Sequence, residues 1–260
     1  MIKDKFYLNI LSLDRSRSTV TNKYLANKYN AIALGEVARV ISPRGNEKKF
    51  FNKIPTCSCG VIAKDCSFWG DIIKSINKKY KFLDYYLKNE FSFVESSKTI
   101  KHSKFLRENI DGKELIAILL IRNFGEWTNS IVSAMRRNNE GKLSTILNDG
   151  FFISSNLRLY LRRFLIFRYF EYMLTNIRLV NEALKYKNSF LVTKSSQIEN
   201  FKIYGTLADQ HILRGNRAGF TNKNYKKWEC NRSLNIIIIE KYWSTLNTIA
   251  NKNNNFFNKK

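Results

Sequence analysis

The chain has 260 residues, 44% of them hydrophobic and 14% aromatic, which is enough for one sizeable α/β domain and argues against a largely disordered chain. Its 45 Lys and Arg against 21 Asp and Glu give a formal net charge of +24. Such a field attracts nucleotides, nucleic acid, acidic glycans or an anionic membrane surface without choosing among them. The longest apolar runs, at 115–121 and 236–239, are far too short to cross a bilayer.

Residues 6–13 (FYLNILSL) read as a first buried strand. A brief apolar run after a lysine-containing start mimics a signal sequence, but Asp14 and Arg15 end it and no small-residue cleavage site follows, so the cytoplasm is the expected compartment. A polar loop at 14–18 leads into a helix from Thr19 to about Asn30, with Ser18 as its expected N-cap. Residues 31–34 form a short second strand ending at Gly35 and Glu36. The stretch 42–60 holds both prolines and reads as an irregular connection, after which 68–87 resumes a helical pattern.

Strand candidates follow at 91–95 and 115–121, the latter (LIAILLI) continuous enough for a parallel strand covered on both faces. Helical patterns run over 126–138, 151–187 and 231–251, with a further strand at 189–193. The alternation predicts a single α/β domain over 1–252, with a central, mostly parallel sheet joined by right-handed crossovers, and a compositionally biased tail at 253–260 whose composition permits disorder. Ligands of such sheets sit at the carboxyl ends of the strands.

That edge carries the chemistry. Strand, then Arg15-Ser16-Arg17-Ser18-Thr19, then helix, offers a tetrahedral oxyanion the free N–H groups and positive dipole end of a helix, two guanidinium groups and hydroxyl donors. A capped helix with exposed arginines would present the same five residues. The GxxxxGK[ST] spacing of a nucleoside triphosphatase is absent.

These five residues resemble the 5′-phosphosulfate loop of the sulfotransferases that use 3′-phosphoadenosine-5′-phosphosulfate (PAPS), which reads K/R-S-G-T/S-T/S after the first strand. The sequence departs from it at Arg17, where glycine is usual. Arg122, ending a strand, and Ser130, eight positions later, resemble the pair that holds the 3′-phosphate in that family. The run from His211 to Arg217 resembles the family's late loop over the same phosphate, which gives Gly215, Asn216 and Arg217 a cofactor-binding role; a basic surface turn would look alike.

The resemblance implies a sulfuryl transfer from PAPS to a hydroxyl acceptor (a carbohydrate, a glycolipid or a small alcohol), with no metal required and no nucleic acid partner. Glu36, at the end of the second strand, is the expected base, as a glutamate is in glycan-modifying and several bacterial members; the cytosolic branch uses a histidine. Arg15 occupies the position that stabilises the leaving group, and Arg15, Ser16, Arg17, Ser18 and Thr19 would cradle the phosphosulfate. Ser96-Ser97-Lys98 resembles the block before the acceptor site, where Lys98 steadies the sulfuryl oxygens; a surface lysine is the plainer alternative. Many relatives carry an acidic Tyr-Glu-Asp segment after the strand at 189–193, and here Lys194-Ser195-Ser196 stands instead. A nucleotide-binding kinase of the P-loop type and a non-enzymatic basic module for polyanions are the competing readings.

Cys57, Cys59 and Cys66 form a dense block, with Cys230 far along the chain. A similar CxCG…CxxW block occurs in some bacterial sulfotransferases. Its spacing is not that of a standard zinc ribbon, so buried thiols come first, a disulfide second and a metal third.

Overall fold

In the computed structural model, which describes residues 5–42, 56–137, 161, 164–193 and 234–257, five strands form one all-parallel sheet flanked by helices. The strands are β1 (Tyr7–Ser12), β2 (Ile32–Gly35), β3 (Phe93–Glu95), β4 (Leu115–Leu120) and β5 (Asn188–Val192). The helices are α1 (Ser18–Tyr29), α2 (Val37–Ile41), α3 (Gly70–Lys74), α4 (Lys78–Lys88), α5 (Ile100–Asn109), α6 (Phe124–Arg137), α7 (Leu165–Ala183) and α8 (Leu234–Phe257). The expected single α/β domain with a parallel sheet is the architecture observed. Among the described residues no helix is long and apolar enough to cross a membrane.

The sheet order is β2-β3-β1-β4-β5. The continuous apolar run of β4 is buried at every position, as a central parallel strand requires, whereas β5 at the edge is largely half-exposed. Alternation along β1 divides the core. Tyr7 and Leu11 point to one face, where Phe68, Trp69, Phe82, Phe93, Trp127 and Tyr172 pack, while Leu8 and Ile10 meet Leu25, Ala26 and Tyr29 of α1 on the other. A buried polar chain crosses the first face. The Asn9 amide donates to the Tyr186 hydroxyl at 2.8 Å, that hydroxyl meets Ser103 Oγ, and Ser103 donates to Glu182 at 2.8 Å.

Several local expectations change. The helix expected over 68–87 is broken between α3 and α4, where Ser75 turns extended. Helices α2 and α5 had no clear sequence signal, being short or dominated by polar and basic residues. Ser18 is the first helical residue and not the cap: Arg17 holds the cap position, without a side-chain capping bond. Helix α8 continues through Phe257, beyond the expected boundary at residue 252.

The connection leaving β1 runs to the β3 and β2 side of the sheet, and the one leaving β4 runs to the β5 side. Neighbouring strands whose connections part in this way leave a crevice at their carboxyl ends. Their register places those ends level, with Ser12 opposite Leu120, so the loop after β1 lies beside the turn after β4.

Candidate functional site

The loop after β1 opens with a tight turn in which the Ser16 N–H donates to the Leu13 carbonyl at 3.3 Å. Arg15 and Arg17 both take left-handed backbone conformations, at φ 66° and 62°. For a side chain other than glycine, this conformation costs about 1–2 kcal/mol per residue and is held only where the surroundings impose it. Position 17, where the resembling loop carries glycine, thus takes a backbone conformation that glycine adopts without strain. Helix α1 starts directly behind, and its first N–H groups have no acceptor within the helix.

Two contacts from the β4–α6 side hold this loop. Arg122 Nη1 donates to the Arg15 carbonyl at 2.8 Å, while its Nε donates to Glu126 at 3.0 Å. Trp127 Nε1 donates to the Asp14 carbonyl, also at 2.8 Å. Tyr172 of α7 in turn donates to the Arg122 carbonyl at 2.7 Å, fixing the strand end from behind. Two carbonyl oxygens of the loop, those of Asp14 and Arg15, are thus bound from the β4 side, and Tyr172 braces the strand end that binds them.

Within this frame several hydroxyls are buried without a partner among the described residues. They include Ser16 Oγ in the loop, Ser12 Oγ at the end of β1 and Thr128 Oγ1 on α6. Ser16 is 3% exposed. A buried hydroxyl left unbonded costs about 1–3 kcal/mol, so such a group calls for an acceptor that arrives with a ligand or a water.

Next to the loop, Glu36 ends β2 and sits at the start of α2. Its carboxylate pairs with Arg39 Nε and with Lys98 Nζ, each at 2.7 Å. Lys98 also reaches Asp14 Oδ1 at 3.2 Å, so one ammonium bridges the carboxylates after β1 and β2. The side chains of Lys98 and Glu36 are only 16% and 10% exposed, which protects their pairing from solvent screening. These groups line a cleft of about 200 Å³ together with Ser12, Ser97, Trp127 and Thr175.

Behind the cleft, Ser97 joins two layers. Its Oγ donates to Glu95 and accepts the Ala38 N–H at 2.8 Å, tying the end of β3 to α2. Glu95 is fully buried with His102 of α5, whose Nε2 lies 2.9 Å from its carboxylate but off the line of a hydrogen bond.

The structure thus brings Arg15 to Arg122, and Glu36 to Lys98, along one edge of the sheet. Ser18 and Thr19 lie in the first turn of α1, the former buried and the latter half-buried, and the Arg15 residue as a whole is exposed. Ser130 sits further along α6, half-buried, and takes no part in the contacts that draw Arg122 to the loop. Gly215, Asn216 and Arg217, the Lys194-Ser195-Ser196 segment and Cys230 lie outside the described residues. Sequence reasoning missed Asp14, Arg39 and Trp127. Arg39 was findable, three residues after Glu36 and hence on the same face of a short helix; the other two contacts depend on the crossing of distant strands.

No family model matches the chain, and no curated protein matches it in sequence.

Proposed function

We propose that the protein is a PAPS-dependent sulfotransferase acting on a hydroxyl-bearing acceptor. The observation that carries this reading is the buried, unpartnered Ser16 hydroxyl in a loop with two left-handed arginines ahead of α1, tied to Arg122 at the neighbouring strand end. A tetrahedral anion in the loop would supply the missing acceptor and meet the first N–H groups of α1. In this reading Arg122, at the crevice between β1 and β4, would meet a second phosphate on the same nucleotide.

In this mechanism the acceptor oxygen attacks sulfur in line, a new S–O bond forms, and the S–O bond to the 5′-phosphate breaks. The acceptor proton passes to Glu36, and Arg15 meets the charge that grows on the leaving phosphate. Lys98, now bridging Glu36 and Asp14, would turn to the sulfuryl oxygens when they arrive. No disulfide joins Cys57, Cys59 and Cys66 among the described residues, which suits a reducing compartment such as the cytoplasm.

The test is binding of adenosine 3′,5′-bisphosphate, followed by transfer from labelled PAPS to a panel of alcohols, saccharides and glycolipids. The expected result is a large thermal stabilisation by the bisphosphate and a weaker one by AMP or ATP. A folded preparation that the bisphosphate does not stabilise would exclude the assignment.

A further inference from the structure

The cysteine block is a separate construction, on the segment that leads into α3. The Cys57 N–H donates to the Val61 carbonyl at 2.8 Å and Thr56 bridges to Ile62, so the segment folds back on itself. The Gly60 N–H closes a turn onto the Cys57 carbonyl at 3.0 Å, with Gly60 at φ 95°, a conformation that favours glycine. Cys66 then enters α3: its carbonyl accepts the Gly70 N–H at 2.7 Å. A Cβ at Gly70 would stand 2.7 Å from the Lys64 carbonyl oxygen, so only glycine lets the block lie this close to the helix.

This folding gathers Cys57, Cys59 and Cys66 so that their sulfurs all lie within 4.8 Å of one another, with Cys59 and Cys66 at 3.8 Å. Thiolates bound to one tetrahedral zinc at about 2.3 Å stand about 3.8 Å apart, so the Cys59–Cys66 spacing is that of two ligands on a shared ion, and Cys57 lies within reach of the same point. Backbone N–H groups are also directed at each sulfur: that of Cys59 at Cys57, that of Val61 at Cys59, and those of Phe68 and Trp69 at Cys66. Such donors stabilise thiolate charge and orient the ligands of a sulfur-bound metal. Two of the cysteines are buried, while Cys59 is exposed and gives the site its access to solvent.

We propose that Cys57, Cys59 and Cys66 bind one zinc ion through three thiolates, with the fourth position facing solvent beside Cys59. Soft sulfur donors select zinc over magnesium or calcium, and binding releases the three thiol protons. The ion would fix the 56–66 segment against α3, whose preceding Trp69 is fully buried and stacks on Phe82 at 6.3 Å between centroids. Helix α2, which carries Arg39 of the cleft, packs on α3 and α4, so the ion would brace one wall of the cleft from a distance. The site stands independently of the sulfuryl-transfer reading.

The test uses the full chain, purified under reductant, with metal content measured by plasma mass spectrometry and the zinc then exchanged for cobalt. One zinc per chain and sulfur-to-cobalt charge-transfer bands are expected. Because Cys66→Ser could fail to fold at its buried position, Cys59→Ser is the deciding variant. It should keep the wild-type circular dichroism spectrum, bind zinc at least tenfold more weakly and, when saturated with cobalt, show weaker charge-transfer bands from its two remaining thiolates. Folded wild-type protein that takes up no zinc, a Cys59–Cys66 disulfide in that protein, or zinc affinity unchanged in Cys59→Ser would each overturn the proposal.

Discussion

The Arg122 guanidinium donates to the Arg15 carbonyl across 2.8 Å, joining residues 107 positions apart in the chain. This bond holds the loop after β1 against the crevice between β1 and β4 while Arg122 stays beside the same loop. Arg122→Ala should therefore act on ligand binding more than on the fold. A hydrogen bond to a charged group contributes about 1.5–3 kcal/mol, so adenosine 3′,5′-bisphosphate should bind roughly ten- to a hundredfold more weakly. Calorimetric titration checks this, and an unchanged affinity would remove Arg122 from the site.

The left-handed Arg17 makes a prediction of opposite sign. Relief of its backbone strain is worth about 1–2 kcal/mol, against about 0.5–1 kcal/mol for the extra freedom of an unfolded glycine. Arg17→Gly should leave stability equal or raised by up to about 1.5 kcal/mol, and Arg17→Val should lower it, because a branched side chain resists positive φ. Urea denaturation of the two variants measures the difference. A clear loss of stability in Arg17→Gly would show that the arginine side chain, and not its backbone, holds the loop.

What the sequence made legible follows from the range of the interactions involved. β1 and β4 were readable because burial on both faces demands an uninterrupted apolar run, and Leu115–Leu120 supplies one. Arg15, Glu36 and Arg122 were readable as candidates because each directly follows such a strand, at the edge where parallel sheets bind ligands. The Lys98 bridge between Glu36 and Asp14 was not readable, since it depends on β2, β3 and β1 ending side by side. The same holds for the cysteines. Their spacing in the chain argued against a zinc ribbon, whereas their spacing in space comes from the Gly60 turn and the close approach at Gly70.

Buried tyrosines set a limit on alkaline stability. Burial, first of all, raises the phenol of Tyr186 to about 12, and it also raises those of Tyr7, Tyr29 and Tyr86 above their ordinary value. An unfolded tyrosine releases its proton near pH 10, so above that pH the unfolded chain binds fewer protons than the folded one. The stabilisation is complete below pH 10 and is lost as pH rises towards the folded values. Tyrosinate absorbance should therefore show exposed phenols titrating first and a later step that coincides with loss of helical circular dichroism. A single smooth titration of all 13 tyrosines near pH 10 in folded protein would contradict this burial.

In the proposed mechanism Glu36 separates binding from chemistry. Its two ion pairs, to Arg39 and Lys98, lie on the cleft side and make no contact with the Arg15–Arg122 clamp. Glu36→Gln keeps the shape of the side chain and can still accept a hydrogen bond from Lys98, but it removes the proton acceptor. Bisphosphate affinity should stay at the wild-type value while PAPS turnover falls by roughly 10²–10⁴, the usual contribution of a positioned general base. The loss should appear in kcat with little change in KM for PAPS, because the proposed nucleotide contacts lie elsewhere. Turnover near the wild-type rate would move the base to another group, and the buried Glu95–His102 pair behind Ser97 is the next to test.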